Sequence, residues 1–359
     1  MEFGIFMPNS RNGYIMAEAA PQYDPTHKHL SDIVKAGEDN GFSFALTMSS
    51  FRGHGGSTQF WEGSLESMTT MAALAKDTTF MKLIGSVQLL LVHPALAARG
   101  AMTLQDISEG RFGLNLVPGG WHPGELESLG VWPGYDYNEY RWEYATEYAQ
   151  VLTELWRDGV TNFQGKHFQY DDLQLGPLPE GGRVPIVAAG ASDDAIKFCA
   201  QYADYNFRLA WGGIDALNDI MTKFNAAMED AKRVVKPYVA LGVILADSDR
   251  EAEEKLQRYV DTADLEAIEY MYTGAVTDTA KGGTSEILAS MDQKGAMQMS
   301  TDFLVGSPSS IAEQLDEWAD LDVAGYMLVL DDYVPDIKRM GAEVFPKMKN
   351  FDQTKASVA

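Results

Sequence analysis

Apolar positions along the chain fall into two recurring patterns, short unbroken runs and longer stretches at helical spacing. Residues 3–7 form an unbroken run ending at Pro8, which reads as a buried strand. A polar loop over 9–24 follows, and residues 29–40 then carry Leu30, Ile33, Val34 and Gly37 at helical spacing, with Gly41 as the stop. Further runs over 42–48, 81–91, 112–117, 185–189, 204–209, 238–246 and 325–330 predict seven more strands. Helical patterns lie between them: from a Ser64 cap through Ala75, from Pro94 to about Ser108, over 140–156, from Ser192 to Tyr202, over 215–235, and from 249 to about 271. One more runs from a Ser307 cap, with Pro308 in its first turn, to Ala319. Residues 162–182 read as a small hairpin excursion, and 273–299 as a mobile segment rich in polar and small residues.

Strand followed by helix, repeated, predicts a parallel sheet of right-handed units. Eight such units in 359 residues predict an α/β fold, a (β/α)8 TIM barrel forming one domain over 1–359. Insertions are expected near 118–138 and 158–184, and the mobile segment near 272–300. A doubly wound open sheet is the competing arrangement.

Composition then narrows the function. No apolar run is long enough to cross a membrane, and Met1 to Phe6 lacks a signal-type start, so a cytoplasmic protein is expected. A single cysteine, Cys199, excludes an intrachain disulfide framework and reads as a small core residue. The net charge of −24 argues against nucleic acid and anionic membranes as partners. The six histidines form no His-Glu-x-x-His motif, and no catalytic metal is expected.

In a barrel of this kind the residues just after each strand form the functional face. Here those are Asn9, Ser49, Ser50, Ser86 to Gln88, Asn115, the Gly190-Ala191-Ser192 turn and the loop after Leu330. They include no carboxylate pair, Ser-His-Asp set or P-loop. Neutral amides and hydroxyls near Tyr14, Trp61, Trp121, Trp142 and Trp211 suit a flat polar ligand, with an organic cofactor carrying the chemistry. Asn115, inside the apolar run 112–117, is either a core amide or a ligand contact. The turn at Gly190 to Ser192 has the form of a phosphate cradle, although Ser192 is equally an ordinary helix cap. Arg141 is either a source of charge for that phosphate or a surface partner of Glu139 or Glu143.

The string Gly110-Arg111-Phe112-Gly113-Leu114-Asn115-Leu116-Val117, followed by glycine, Trp121 and Glu125, resembles the bacterial luciferase-like flavin monooxygenases. Gly190-Ala191-Ser192 and Leu304-Val305-Gly306-Ser307-Pro308 fit the same superfamily. Within it, Ala20-Pro21-Gln22-Tyr23, Arg52-Gly53-His54-Gly55-Gly56 with Phe60-Trp61, Leu65-Glu66-Ser67 and Trp132-Pro133-Gly134 look most like the subgroup that opens the uracil ring. The resemblance implies a two-component enzyme that takes reduced FMN from a separate NAD(P)H:flavin reductase and uses it with O2. By matching position it implies flavin contacts at Ser49, Ser50, Asn115, Glu125, Arg141, Trp142, Gly190 and Ser192. It also places Ser86 and Asn115 beside the oxygen pocket, as the catalytic pair. In the subgroup the flavin is thought to react as an N5-peroxide that attacks a ring carbonyl, with cleavage of the adjacent C–N bond.

Several positions depart from the subgroup. Ser50 stands where it carries Lys, Ser86 and Pro118 stand where it carries Thr, Gly119-Gly120 holds one extra residue, and Arg208 to Gly213 differs throughout. With Leu89, Leu90 and Leu91, these changes predict a kept flavin site and a less polar substrate pocket, fitting a uracil-like pyrimidine or a pyridine. An alkanesulfonate or sulfone monooxygenase, which would lean on Arg52 and Arg208, and a deazaflavin-dependent oxidoreductase are the alternatives. Met68, Met71, Ala72, Ala73 and Ala75, with Ala95, Ala97, Ala98, Ala101 and Met102, predict a homodimer or homotetramer through two small-residue helices.

Overall fold

Buried parallel strands read as unbroken apolar runs because both of their faces are covered, and the first strand, β1 (Glu2–Met7), is of this kind. The computed structural model describes residues 1–119, 123–275, 293–298, 301–349 and 351. From β1 the chain continues through α1 (His27–Asp39), β2 (Phe44–Thr47), α2 (Ser67–Leu74), β3 (Lys82–Gln88), α3 (Pro94–Ile107) and β4 (Phe112–Val117). Next come α4 (Pro123–Ser128), α5 (Tyr137–Asp158), a hairpin of β5 (Val160–Thr161) and β6 (Leu173–Gln174), β7 (Ile186–Ala189), α6 (Asp193–Tyr202), β8 (Tyr205–Leu209) and α7 (Gly213–Ala231). The last part holds β9 (Lys236–Leu245), α8 (Asp249–Asp261), α9 (Leu265–Ala275), α10 (Gln293–Met297), β10 (Phe303–Gly306), α11 (Pro308–Trp318), β11 (Gly325–Leu330) and α12 (Tyr333–Arg339).

The strands β1, β2, β3, β4, β7, β8, β9 and β11 pair in that order, all parallel, and β11 closes back on β1. This is the closed eight-strand barrel expected from the apolar runs, and it excludes the open sheet. Phe44, Tyr205 and Tyr238 stack across the lower end of the barrel, with ring centroids 4.1 and 4.6 Å apart. The Tyr238 hydroxyl reaches Glu2, which also holds Lys82 at 2.8 Å. That layer fills the interior below, so the open space lies at the C-terminal ends of the strands.

Three local expectations change. Ser64 does not cap α2, because its hydroxyl pairs with Ser10 at 2.6 Å. The Glu66 carboxylate takes the amides of Met68 and Thr69 instead, and the helix begins two residues later than expected. The strand β10 was not anticipated. It pairs with the upper half of β9, from Gly242 to Leu245, covering an edge that the shorter β8 leaves open. The supposed polar loop over 9–24 is largely interior, with Tyr14, Ile15, Met16 and Ala17 buried. Most of the small residues behind the dimer expectation are also core: Met71, Ala75, Ala97, Ala98, Ala101 and Met102 pack within the chain. The expected mobile segment lies mostly outside the described residues, as does Trp121.

Among the described residues, no helix is long and apolar enough to cross a membrane. None of their His, Cys, Asp and Glu side chains gather into a group that could hold a metal.

Candidate active site

A cavity of about 180 Å³, open to solvent, occupies the C-terminal end of the barrel. Ser49, Ser50, Ser86, Asn115 and Glu125 all line it, together with Gln88. Register explains the pairing at its centre. Ser86 in β3 and Asn115 in β4 are directly opposite across a parallel ladder, so their side chains emerge on the same face.

The hydrogen bonds around this pair form a directed chain. The Ser86 hydroxyl donates to the Thr47 carbonyl at 2.6 Å, and its oxygen accepts from Asn115 Nδ2 at 2.8 Å. Ser67 pins the same spot: its Oγ accepts from the Ser86 N–H at 2.7 Å and bonds Thr47 Oγ1 at 2.7 Å. With the only hydroxyl proton of Ser86 directed at Thr47, Oγ can only accept from its neighbour, which fixes the orientation of the Asn115 amide. Asn115 Oδ1 is then buried with no hydrogen-bond partner among the described residues. An orphaned buried acceptor costs about 1–3 kcal/mol, and here it belongs to a cavity-lining residue. Within the pair, then, Ser86 orients the amide and Asn115 Oδ1 is the acceptor left over.

Glu125, in the first turn of α4, bridges two loops. Its Oε1 accepts from the Phe51 N–H at 2.5 Å and from Gln88 Nε2 at 3.0 Å, and Gln88 also donates to the Ser49 carbonyl at 3.2 Å. Burial pushes the Glu125 carboxyl above the ordinary range, and its two donors only partly offset the shift.

The remaining predicted residues form a second group at the cavity's edge. Ala189 lines the cavity and Gly190 follows it with φ +130°, a conformation that favours glycine. A side chain there would meet Ala195 Cβ at 2.5 Å and the Trp142 ring at 3.2 Å, so Gly190 and Trp142 touch. Trp142 Nε1 is buried without a partner among the described residues. Ser192 caps α6 through a 3.4 Å contact from the Ala195 N–H, and Arg141 is buried in the first turns of α5. Glu143, one of the surface partners considered for Arg141, instead pairs with Lys166 and His167.

Other candidates move out of the site. The Asn9 amide is fully used in joining the ends of β1 and β2: it donates to the Met48 and Leu65 carbonyls and accepts from the Met48 N–H. After Leu330, Asp331 is buried in an ion pair with Lys255 at 2.6 Å and accepts from Tyr259 at 2.7 Å. Arg208 points away from the barrel, its guanidinium 5.0 Å from the Phe224 ring of α7. Its nitrogens have no hydrogen-bond partner among the described residues, and burial lowers its pKa to about 10. Cys199 is the expected core thiol, pushed up to about 11 by burial. Sequence reasoning had not assigned His54, Phe6 and Phe207 to the cavity they line. For Phe207 the signal was the alternation in β8, where 206 and 208 are buried outward and 207 faces the barrel.

A flat ring fits this arrangement: an apolar wall, an orphaned acceptor on Asn115, and a glycine turn beside an indole. The profile of the luciferase-like monooxygenase family matches residues 1–325. The pyrimidine monooxygenase RutA of Bradyrhizobium sp. (strain BTAi1) is 41% identical over 353 residues, covering 97% of both chains. Riboflavin lyase RcaE, crystallised with modified FMN and riboflavin, shares the fold with a TM-score of 0.82 at 19% identity, over 96% of this chain and 90% of its own. An F420-dependent secondary alcohol dehydrogenase shares it with a TM-score of 0.73 at 15% identity, over 97% and 99%.

Proposed function

Because the chain belongs to the luciferase-like monooxygenase family and is a flavin-dependent monooxygenase, we propose that it is the oxygenating half of a two-component system acting on a nitrogen heterocycle. It takes reduced FMN from a separate NAD(P)H:flavin reductase in the cytoplasm. It would use O2 to open a uracil-like pyrimidine or pyridine ring, with cleavage of a ring C–N bond. When bound, reduced FMN supplies the electrons that activate O2.

The chain's own residues then have separate tasks. Asn115, held by Ser86, presents Oδ1 to a ring N–H of the flavin. Glu125 and Gln88 hold the 49–51 loop against α4, fixing that edge of the cavity. Gly190 and Ser192 at the head of α6, with Arg141, take the phosphate, and Trp142 packs beside them. The apolar remainder of the wall excludes water.

The observation that carries this reading is the buried Asn115 Oδ1, without a hydrogen-bond partner among the described residues, on a residue that lines the cavity. Mixing the protein with photoreduced FMN under air, against uracil, pyridines and alkanesulfonates, tests it. Ring-opened product from a heterocycle is expected, and product from sulfonates alone overturns it. Of the two arginines on which the sulfonate alternative leans, Arg52 lines the cavity and Arg208 faces α7. A deazaflavin binding titration separates the remaining alternative, with FMN expected to bind more tightly.

A further inference from the structure

One side of the cavity is built by residues 50–54, whose backbone is held at several points. The Phe51 N–H donates to Glu125 Oε1 at 2.5 Å, and the Ser50 hydroxyl donates to the Arg52 carbonyl at 3.0 Å. The His54 N–H donates to the Phe60 carbonyl at 2.7 Å. Gly53 packs flat on the returning chain: a Cβ there would sit 2.3 Å from the Glu62 nitrogen and 2.4 Å from the Trp61 carbonyl carbon. The main chain of Arg52 is thereby fixed from both sides.

Its side chain is placed by an aromatic ring. Arg52 lines the cavity and is exposed to solvent, and its guanidinium lies 5.3 Å over the Tyr270 ring of α9, within cation–π reach. The Tyr270 hydroxyl in turn lies 3.7 Å from where a Cβ of Gly124, in α4, would be. The guanidinium has no hydrogen-bond or ion-pair partner among the described residues. Acidic residues outnumber basic ones by 52 to 28, so carboxylate partners are plentiful, yet this cation is stacked rather than paired. It can therefore take an anion without breaking an existing ion pair. The Glu125 carboxylate on the same lining makes no ion pair with it, and Glu125 Oε1 accepts from Phe51 and Gln88.

We propose that Arg52 determines specificity by receiving an anionic substituent of the substrate, which is a nitrogen heterocycle carrying a carboxylate. The assignment rests on the oxygenase reading of the cavity and narrows its substrate class. A guanidinium is charged at every working pH and matches a carboxylate with two parallel N–H donors. Ser49, Ser50 and Asn115 on the same lining are neutral: they can hydrogen-bond a ring but cannot balance its charge. The apolar lining residues Phe6, Leu46, Met48, Val117 and Phe207 suit the flat ring itself.

The test uses pairs of ligands that match in shape and differ in charge. FMN-loaded protein is titrated by calorimetry, near neutral pH and at low salt, with nicotinate against nicotinamide and with orotate against its amide. The parent should bind at least one carboxylate about tenfold more tightly than its amide, as a charge-assisted contact implies, and the ratio should shrink as salt is raised. Arg52→Gln should bring the ratio near one, and Arg52→Lys, which keeps the charge without the fork, should retain part of it. A general loss of fold lowers both members of a pair together, so the ratio reads the charge alone. A parent ratio near one for both pairs, or an Arg52→Gln variant that keeps the parent ratio, overturns the assignment. So does an alkanesulfonate held through Arg52 while neither carboxylate is preferred. If Arg52→Gln weakens FMN but not riboflavin, the guanidinium serves the flavin phosphate and the assignment is again overturned. If the ratio depends on Arg52 but no ring is opened with reduced FMN and O2, the oxygenase reading falls and the anion contact stands. Ring opening with a ratio indifferent to Arg52 is the reverse case.

Discussion

At the scale of single residues, Ser86 and Asn115 behave as one unit with unequal parts. Asn115→Ala removes the group proposed to face the flavin, and Ser86→Ala removes the group that orients it. Both variants should still oxidise reduced flavin in air, with hydrogen peroxide in place of oxygenated product. Coupled turnover should fall on the order of 100-fold for Asn115→Ala, the usual cost of losing a preorganised polar contact, and by less for Ser86→Ala. Peroxide and product assays on the two variants check the ranking. Glu125 carries a pH signature. Burial raises its carboxyl, so the folded state holds that proton more tightly than the unfolded chain does. The stabilising contribution is therefore complete below the ordinary glutamate value and is lost as pH rises through the raised one. Glu125→Gln, which keeps an acceptor for the Phe51 N–H, should melt above the parent at about pH 8, with the gap closing near pH 4. Arg141→Ala should weaken FMN by about 1.5–3 kcal/mol, the size of one charge-assisted contact, and leave riboflavin unchanged in a paired binding titration.

At the scale of elements, what was legible depended on how local the cause is. Strands buried on both faces declare themselves in a single sequence, and Pro94 and Pro308 mark helix starts that α3 and α11 keep. Ser64 and Glu66 were not separable, because the choice depends on Ser10, more than fifty residues away in sequence. The strand β10 exists because β9 outlasts β8, a fact about neighbours that four residues cannot carry. The same limit applied at the site. Matching strings named Ser86 and Asn115, but the direction of the Ser86 proton comes from Thr47 on β2. His54 was visible only as part of a string, and the chain around it is clamped by the distant Asp264, which accepts from the Thr58 N–H and hydroxyl at 2.8 and 2.7 Å. That clamp is testable: Asp264→Ala strands the Thr58 donors and the Ala267 N–H of α9, and should cost about 2 kcal/mol or more in urea unfolding.

At the scale of the whole molecule, the barrel separates stability from chemistry. Its lower end is filled by stacked aromatics, while the cavity is confined to the upper ends of β1, β2, β3, β4, β7 and β8 and the loops above them. Assembly remains a proposal on changed grounds. With most of the small residues of α2 and α3 buried within the chain, a homodimer there would have to use exposed positions such as Leu96. Light scattering at micromolar concentration decides it, a dimer or tetramer being expected and a monomer ruling it out. The central claim, that this cavity couples reduced FMN and O2 to the opening of a nitrogen heterocycle, has one direct measurement. Photoreduced FMN, the protein and a uracil or pyridine substrate are mixed with isotopically labelled O2, and the products are read by mass spectrometry. The account predicts label in a ring-opened product from the parent, and only labelled peroxide from Asn115→Ala. Unlabelled, intact rings with the parent, or labelled product undiminished in Asn115→Ala, would contradict it.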